Sequence, residues 1–177
     1  MVITPEADIQ ITCRQIPPWD RIPNTSIQGR PLIIYHGAFD ATAADLTRHL
    51  RGVGAVLPQW TYTMYSQTHF HSTTHEVLAV VAGRAKLCFG GEGNPGRFEP
   101  TVKRGDLIIV PAGVGHRLLR DEGDEAFQMV GSYPHNKEWD MCYGRPGEEE
   151  KVQQISQLPW FDQDPLYGEN GPALRVH

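Results

Sequence analysis

Between residues 60 and 133 the chain breaks into short runs rich in β-branched and aromatic side chains, each closed by a cluster of turn formers. That punctuation constrains the fold more than any other feature, because strands of this length bury a core only by closing on one another as a sandwich or barrel. Strands are expected near residues 60–65, 69–71, 76–81, 84–89, 101–102, 107–110, 116–120 and 126–133. The intervening segments 90–96, 104–106, 111–113 and 121–124 carry the Gly, Pro, Asp and Asn that β-turns use. The series predicts an all-β barrel.

Outside this core the pattern changes. Residues 1–30 hold Pro17-Pro18, Pro23-Asn24 and Gln28-Gly29 and read as a wrapping arm. Asp40 is the expected cap of a helix over 41–51, with Ala44 or Leu46 and Leu50 on one stripe and Gly52 and Gly54 at its end. A second short helix is expected over 149–157. Trp160, Phe161, Leu166 and Tyr167 are too apolar to stay in water, so the tail should pack on the barrel or on a second subunit. One domain over 1–177 is expected, with its core at about 56–133, an N-terminal arm and helix at 1–55 and a C-terminal arm at 134–177.

Composition narrows the partners. The net charge is −5 and the basic residues are scattered, so nothing resembles a phosphate-neutralising stripe or a lipid-binding face. No apolar run approaches a membrane span, and the N-terminus lacks a basic segment followed by an apolar one. Neither nucleic acid nor membrane is an expected partner, and the expected location is the cytoplasm. Cys13, Cys88 and Cys142 are odd in number and widely spaced, which fits reduced structural thiols. Aromatic residues in both arms point to a homodimer.

Three of the eight histidines, His69, His71 and His75, fall within seven residues. In a strand, residues two apart share a face, so His69 and His71 can aim at one point while Phe70 looks away. A turn through Ser72-Thr73-Thr74 lets Glu76 return a carboxylate to that point, and His75 should face outward. A zinc helix of the His-Glu-x-x-His type is excluded because Ala79 occupies the second histidine's place. His116 follows a strand and the turn Pro111-Ala112-Gly113 and is the fourth candidate. The isolated His36, His49, His135 and His177 read as ordinary structural histidines. Tyr65 and Gln67 share strand parity with His69 and, with Tyr133, are candidate pocket residues.

These residues form two spaced motifs, His69, His71, Glu76 and Gly83, then Gly105, Pro111, Gly113 and His116. In order and spacing they resemble the paired motifs of the cupin superfamily. Thr63 stands where the first motif opens with glycine, and Arg120 where the second closes with asparagine. The His71-Ser72-x-x-His75-Glu76-Val77-Leu78 stretch and the Asp164-Pro165-Leu166-Tyr167-Gly168 tail further resemble the YjlB-like subgroup of bacterial single-domain cupins. The resemblance implies a double-stranded β-helix, or jelly-roll barrel, holding one divalent metal, Fe, Mn, Ni or Zn, through His69, His71, Glu76 and His116. It also implies a small-molecule ligand. Two functions fit: a metal-dependent dioxygenase, decarboxylase or isomerase acting on a small carboxylate, hydroxy or sugar substrate, or a non-catalytic cupin that binds or senses a small ligand.

Overall fold

A computed structural model describes residues 1–176; the structural role expected of His177 lies outside the described residues. The strands are β1 (Val2–Ile3), β2 (Gln10–Arg14), β3 (Leu32–His36), β4 (Phe39–Asp40), β5 (Val56–Tyr62), β6 (Glu76–Ala82), β7 (Arg84–Phe89), β8 (Thr101–Lys103), β9 (Leu107–Val110), β10 (His116–Asp121) and β11 (Gln128–Pro134). The helices are α1 (Ala43–Val53) and α2 (Glu149–Gln154), the latter continued by a 3-10 turn, Ile155–Gln157.

A six-stranded antiparallel sheet in the order β2-β3-β9-β6-β11-β5 faces a three-stranded sheet in the order β10-β7-β8. Leu32, Ile34, Leu78, Val80, Ile108 and Val110 of the large sheet meet Ala85, Leu87, Phe89 and Val102 of the small one to fill the barrel. Alternate residues of the large sheet, Ile33, Tyr35, Val77, Ala79, Leu107 and Ile109, form a second core on its outer face. There they are covered by Leu46 and Leu50 of α1 and by Trp160, Phe161, Leu166 and Tyr167. Being buried on both faces explains why β3, β6 and β9 read as unbroken apolar runs instead of alternating ones.

Three local expectations are corrected. The first thirty residues are not only a wrapping arm, since β2 pairs along the whole of β3 and forms one edge of the sheet. Asp40 does not cap α1; it is held in β4 opposite Val2, and its carboxylate meets Arg104 at 3.1 Å. Thr42 caps instead, its hydroxyl accepting from the Asp45 N–H at 3.2 Å, and Gly54 closes the helix with φ 83°. Residues 69–71 form no extended strand, only single antiparallel bridges at His69 and Phe70. The three cysteines are free thiols, as the spacing implies.

The tail packs on this chain's own sheet, which removes the need for a second subunit to cover it. Its anchor is Asp164, fully buried, which accepts from the Tyr35 hydroxyl at 2.6 Å and from the backbone N–H groups of Leu166, Tyr167 and Ala173. Burial first, and the Asp164 charge second, push the Tyr35 hydroxyl above its ordinary titration range. Tyr35→Phe leaves part of the Asp164 carboxylate unsatisfied and should cost about 1–3 kcal/mol in chemical denaturation. Because the folded-state hydroxyl is raised, its contribution is complete below about pH 10 and fades as pH rises beyond that. The gap between wild type and Tyr35→Phe should therefore narrow above that pH; a constant gap would contradict the buried Tyr35–Asp164 bond.

Candidate metal centre

Reciprocal backbone bonds bring the two motif segments together: the His69 N–H donates to the His116 carbonyl at 3.2 Å and the His116 N–H to the His69 carbonyl at 2.8 Å. Phe70 makes the equivalent pair with Cys142 at 2.8 and 2.9 Å, and the Gly113 N–H donates to the His71 carbonyl at 2.9 Å. Gly113 turns the chain there with φ 91°, a conformation that disfavours side chains. With the backbone so fixed, Phe70 points into a small outer cluster with Ile22, Ala112, Cys142 and Ile155, while His69 and His71 point into the barrel.

The three rings converge. Nδ1 of His69 lies 2.9 Å from the Gln67 carbonyl, that of His71 2.5 Å from the Asp140 carbonyl, and that of His116 2.9 Å from the Val114 carbonyl. A carbonyl can only accept, so each Nδ1 carries a proton and donates it, which leaves Nε2 with its lone pair in the neutral ring. One ring nitrogen from each histidine lies within 4.8 Å of the others. This cluster is of the kind that can hold a metal ion.

Glu76, the first residue of β6, joins from the neighbouring strand, its Oε2 3.5 Å from His71 Nε2 and 3.3 Å from His116 Nε2. Oε1 accepts from the Tyr133 hydroxyl at 2.6 Å, and that hydroxyl in turn accepts from Trp60 Nε1 at 2.9 Å. The Trp60 ring lies flat on Gly131, where a Cβ would sit 2.0 Å from the indole, so glycine is what admits the ring. Oε2 is buried with no hydrogen-bond donor aligned on it. Burial by itself would raise the Glu76 carboxyl, but the positive charge that His71 and His116 can carry beside it outweighs burial and holds the group well below the carboxylate range. Burial lowers His69 to about 3, with the neighbouring His116 adding to the effect. In His71 the opposite outcome holds, since the Glu76 charge overcomes burial and raises it. The four groups thus favour an ionised carboxylate among donor nitrogens.

The cluster forms the floor of a cavity of about 330 Å³. Tyr65 and Tyr133 line it. The Gln67 side chain does not; it is exposed and lines a neighbouring groove, while its backbone carbonyl orients His69. Trp60, Met64, Leu78, Trp139 and Met141 complete the wall and were not legible as pocket residues. Thr63 sits in the cavity wall, whereas Arg120 is exposed and bonds Glu122 at 2.5 Å. His75 faces outward, accepting from the Ala112 N–H at 3.0 Å, reaching the Pro159 carbonyl at 3.2 Å and packing against Trp160. His36 and His49 bond Thr12 and the Leu166 carbonyl, both at 2.8 Å, far from the cluster.

The Cupin domain model matches residues 62–133. The chain is also 37% identical over 160 residues to "Uncharacterized protein YjlB" of Bacillus subtilis (strain 168), covering 88% of this chain and 90% of that one. The chain therefore belongs to the cupin family, in company with YjlB. Among solved structures it is similar to oxalate decarboxylase of Bacillus subtilis, at TM-score 0.38 and 15% identity over 64% of this chain and 23% of that one. It is also similar to the coconut allergen cocosin, at TM-score 0.38 and 15% identity over 80% of this chain and 30% of that one. The chain thus spans less than a third of either solved chain.

Asp140 is the other residue that the sequence did not single out. Its carboxylate accepts from the Ser72 N–H and hydroxyl, each at 2.7 Å, and from the Cys142 thiol at 3.3 Å, while its carbonyl orients His71. Asp140→Ala should lower stability by about 1–3 kcal/mol, since it leaves a part-buried N–H and hydroxyl unpaired. It should also shift the NMR signal of the His71 Nδ1 proton. An unchanged denaturation midpoint and spectrum would show that Asp140 does not position the turn.

Proposed function

We propose that the chain is a metal-binding cupin in which His69, His71, Glu76 and His116 hold one divalent ion, Fe, Mn, Ni or Zn, for work on a small carboxylate, hydroxy or sugar substrate. The observation that carries this is Glu76 Oε2, a buried carboxylate oxygen with no aligned donor, beside two imidazole nitrogens freed by their own Nδ1 bonds. A buried anionic oxygen without a partner is costly, and a cation removes that cost. Three nitrogens and one oxygen suit borderline first-row ions.

When bound, such an ion supplies Lewis-acid polarisation of a substrate oxygen, the chemistry of a dioxygenase, decarboxylase or isomerase. The chain's own side chains hold the carboxylate in one orientation through Tyr133 and line the site with Trp60, Met64 and Leu78. Against catalysis stands one observation. Tyr133 is bonded to Glu76, and burial and that charge raise it above its ordinary range, so it is no base at neutral pH. Tyr65 lies half-exposed at the cavity mouth. This favours the second reading, a ligand-binding or sensing cupin.

The reading extends to one domain, acting as a homodimer in the cytoplasm. Ile11 on the edge strand β2 is exposed, which supports a partner surface there. Among the described residues no helix is long and apolar enough to cross a membrane.

Metal per subunit, measured on folded variants, tests the ligand set. His69→Ala, His71→Ala and His116→Ala should lose stoichiometric metal, Glu76→Gln should fall between, and His75→Ala should retain it. Full metal in His116→Ala would sink the assignment. For the assembly, light scattering should give twice the chain mass; a particle of 19.8 kDa would remove the dimer.

A further inference from the structure

We propose that the cavity above the histidine cluster takes a 2-hydroxy acid bearing one carboxylate and an aromatic ring, with Trp139, Tyr65 and Trp60 as the wall that receives the ring. This rests on the metal-site reading and adds the class of ligand to it. The cavity is amphipathic: its floor is the histidine and carboxylate cluster, and its walls are mainly aromatic rings and thioethers. Trp139 packs edge-on to His71 at 5.9 Å and lies nearly parallel to Tyr133 at 6.4 Å, yet remains 39% exposed. Tyr65 stands edge-on to His69 at 5.6 Å and is 52% exposed. Large aromatic surfaces that flank a polar floor and stay open to solvent suit a ligand with an apolar ring at one end and oxygens at the other.

Charge and size narrow the class. Neutral imidazoles and one carboxylate balance only one charge of a divalent ion, and a monocarboxylate balances the other. No lysine or arginine lines the cavity among the described residues, so a second carboxylate would face Met64, Leu78 and Met141 with no cation to pair it. A volume of about 330 Å³ holds roughly eleven waters at about 30 Å³ each, enough for a phenyl ring and a hydroxy acid. A small aliphatic acid would leave the aromatic walls wet.

The test compares acids that share one chelating group. Zinc-loaded full-length protein, chosen because zinc has no redox chemistry, is titrated calorimetrically with mandelate, lactate and malate, and its zinc content is measured before and after. Mandelate should bind about tenfold more tightly than lactate, and malate no more tightly than lactate. Trp139→Ala, compared at equal zinc content, should reduce the mandelate-to-lactate affinity ratio by about threefold or more. Equal binding of mandelate and lactate, preference for malate, an unchanged ratio in Trp139→Ala, or no binding of any acid by zinc-loaded protein would each overturn the inference and leave the metal site standing. Folded wild-type protein that takes up no zinc or other divalent ion would overturn both.

Discussion

The reciprocal backbone pair between His69 and His116 is the contact on which the rest of the site depends. It joins two segments distant in sequence and sets their imidazole centroids 4.2 Å apart. Because Phe70 bonds Cys142 on the other side, the backbone through 69–71 is satisfied without belonging to a sheet. An irregular segment can be buried only when its polar groups are paired, and here those pairs come from two different parts of the chain. The histidine rings then inherit their direction from strand-like alternation, with no side chain needed to force it.

The large sheet separates chemistry from support. Along β6, Glu76, Leu78 and Val80 face the barrel, while Val77, Ala79 and Val81 face the cover of α1 and the C-terminal arm. A carboxylate at the first inward position is thereby held on a strand locked from both faces. The cost of burying it is offset by the Tyr133 bond on one oxygen, and the other oxygen is left directed at the histidines. His75, one residue earlier, falls on the outer side and serves packing instead, its ring set 4.8 Å from that of Trp160.

What the sequence made legible is what local periodicity determines. The spacing of His69, His71 and Glu76, the direction of His75, and the strands from β6 onward follow from two-residue alternation and turn chemistry, and the family motifs placed His116 with them. What stayed hidden depends on long-range pairing. Trp139 and Met141 reach the cavity, and Asp140 the turn beside His71, because the chain beyond β11 folds back, and no local pattern announces that return. Gln67 shares parity with His69 in sequence, but no strand forms there, so its side chain departs and only its carbonyl serves the site. Asp40 was the better cap by type, yet pairing with β1 claimed its backbone and passed the role to Thr42.

The C-terminal arm couples stability to the site more closely than its irregular sequence suggests. It leaves β11 at Pro134, next to Tyr133, contributes Trp139, Asp140 and Met141 to the cavity and its surroundings, and runs through α2 to Trp160. It ends on Asp164, fixed to Tyr35 at the centre of the outer core. Between these points the arm is held at several places: Cys142 pairs with Phe70, Gln28 donates to the Ile155 and Leu158 carbonyls, and His75 reaches the Pro159 carbonyl. The same arm that buries Trp160 and Leu166 on the outer core therefore also carries the Asp140 carbonyl that orients the His71 ring.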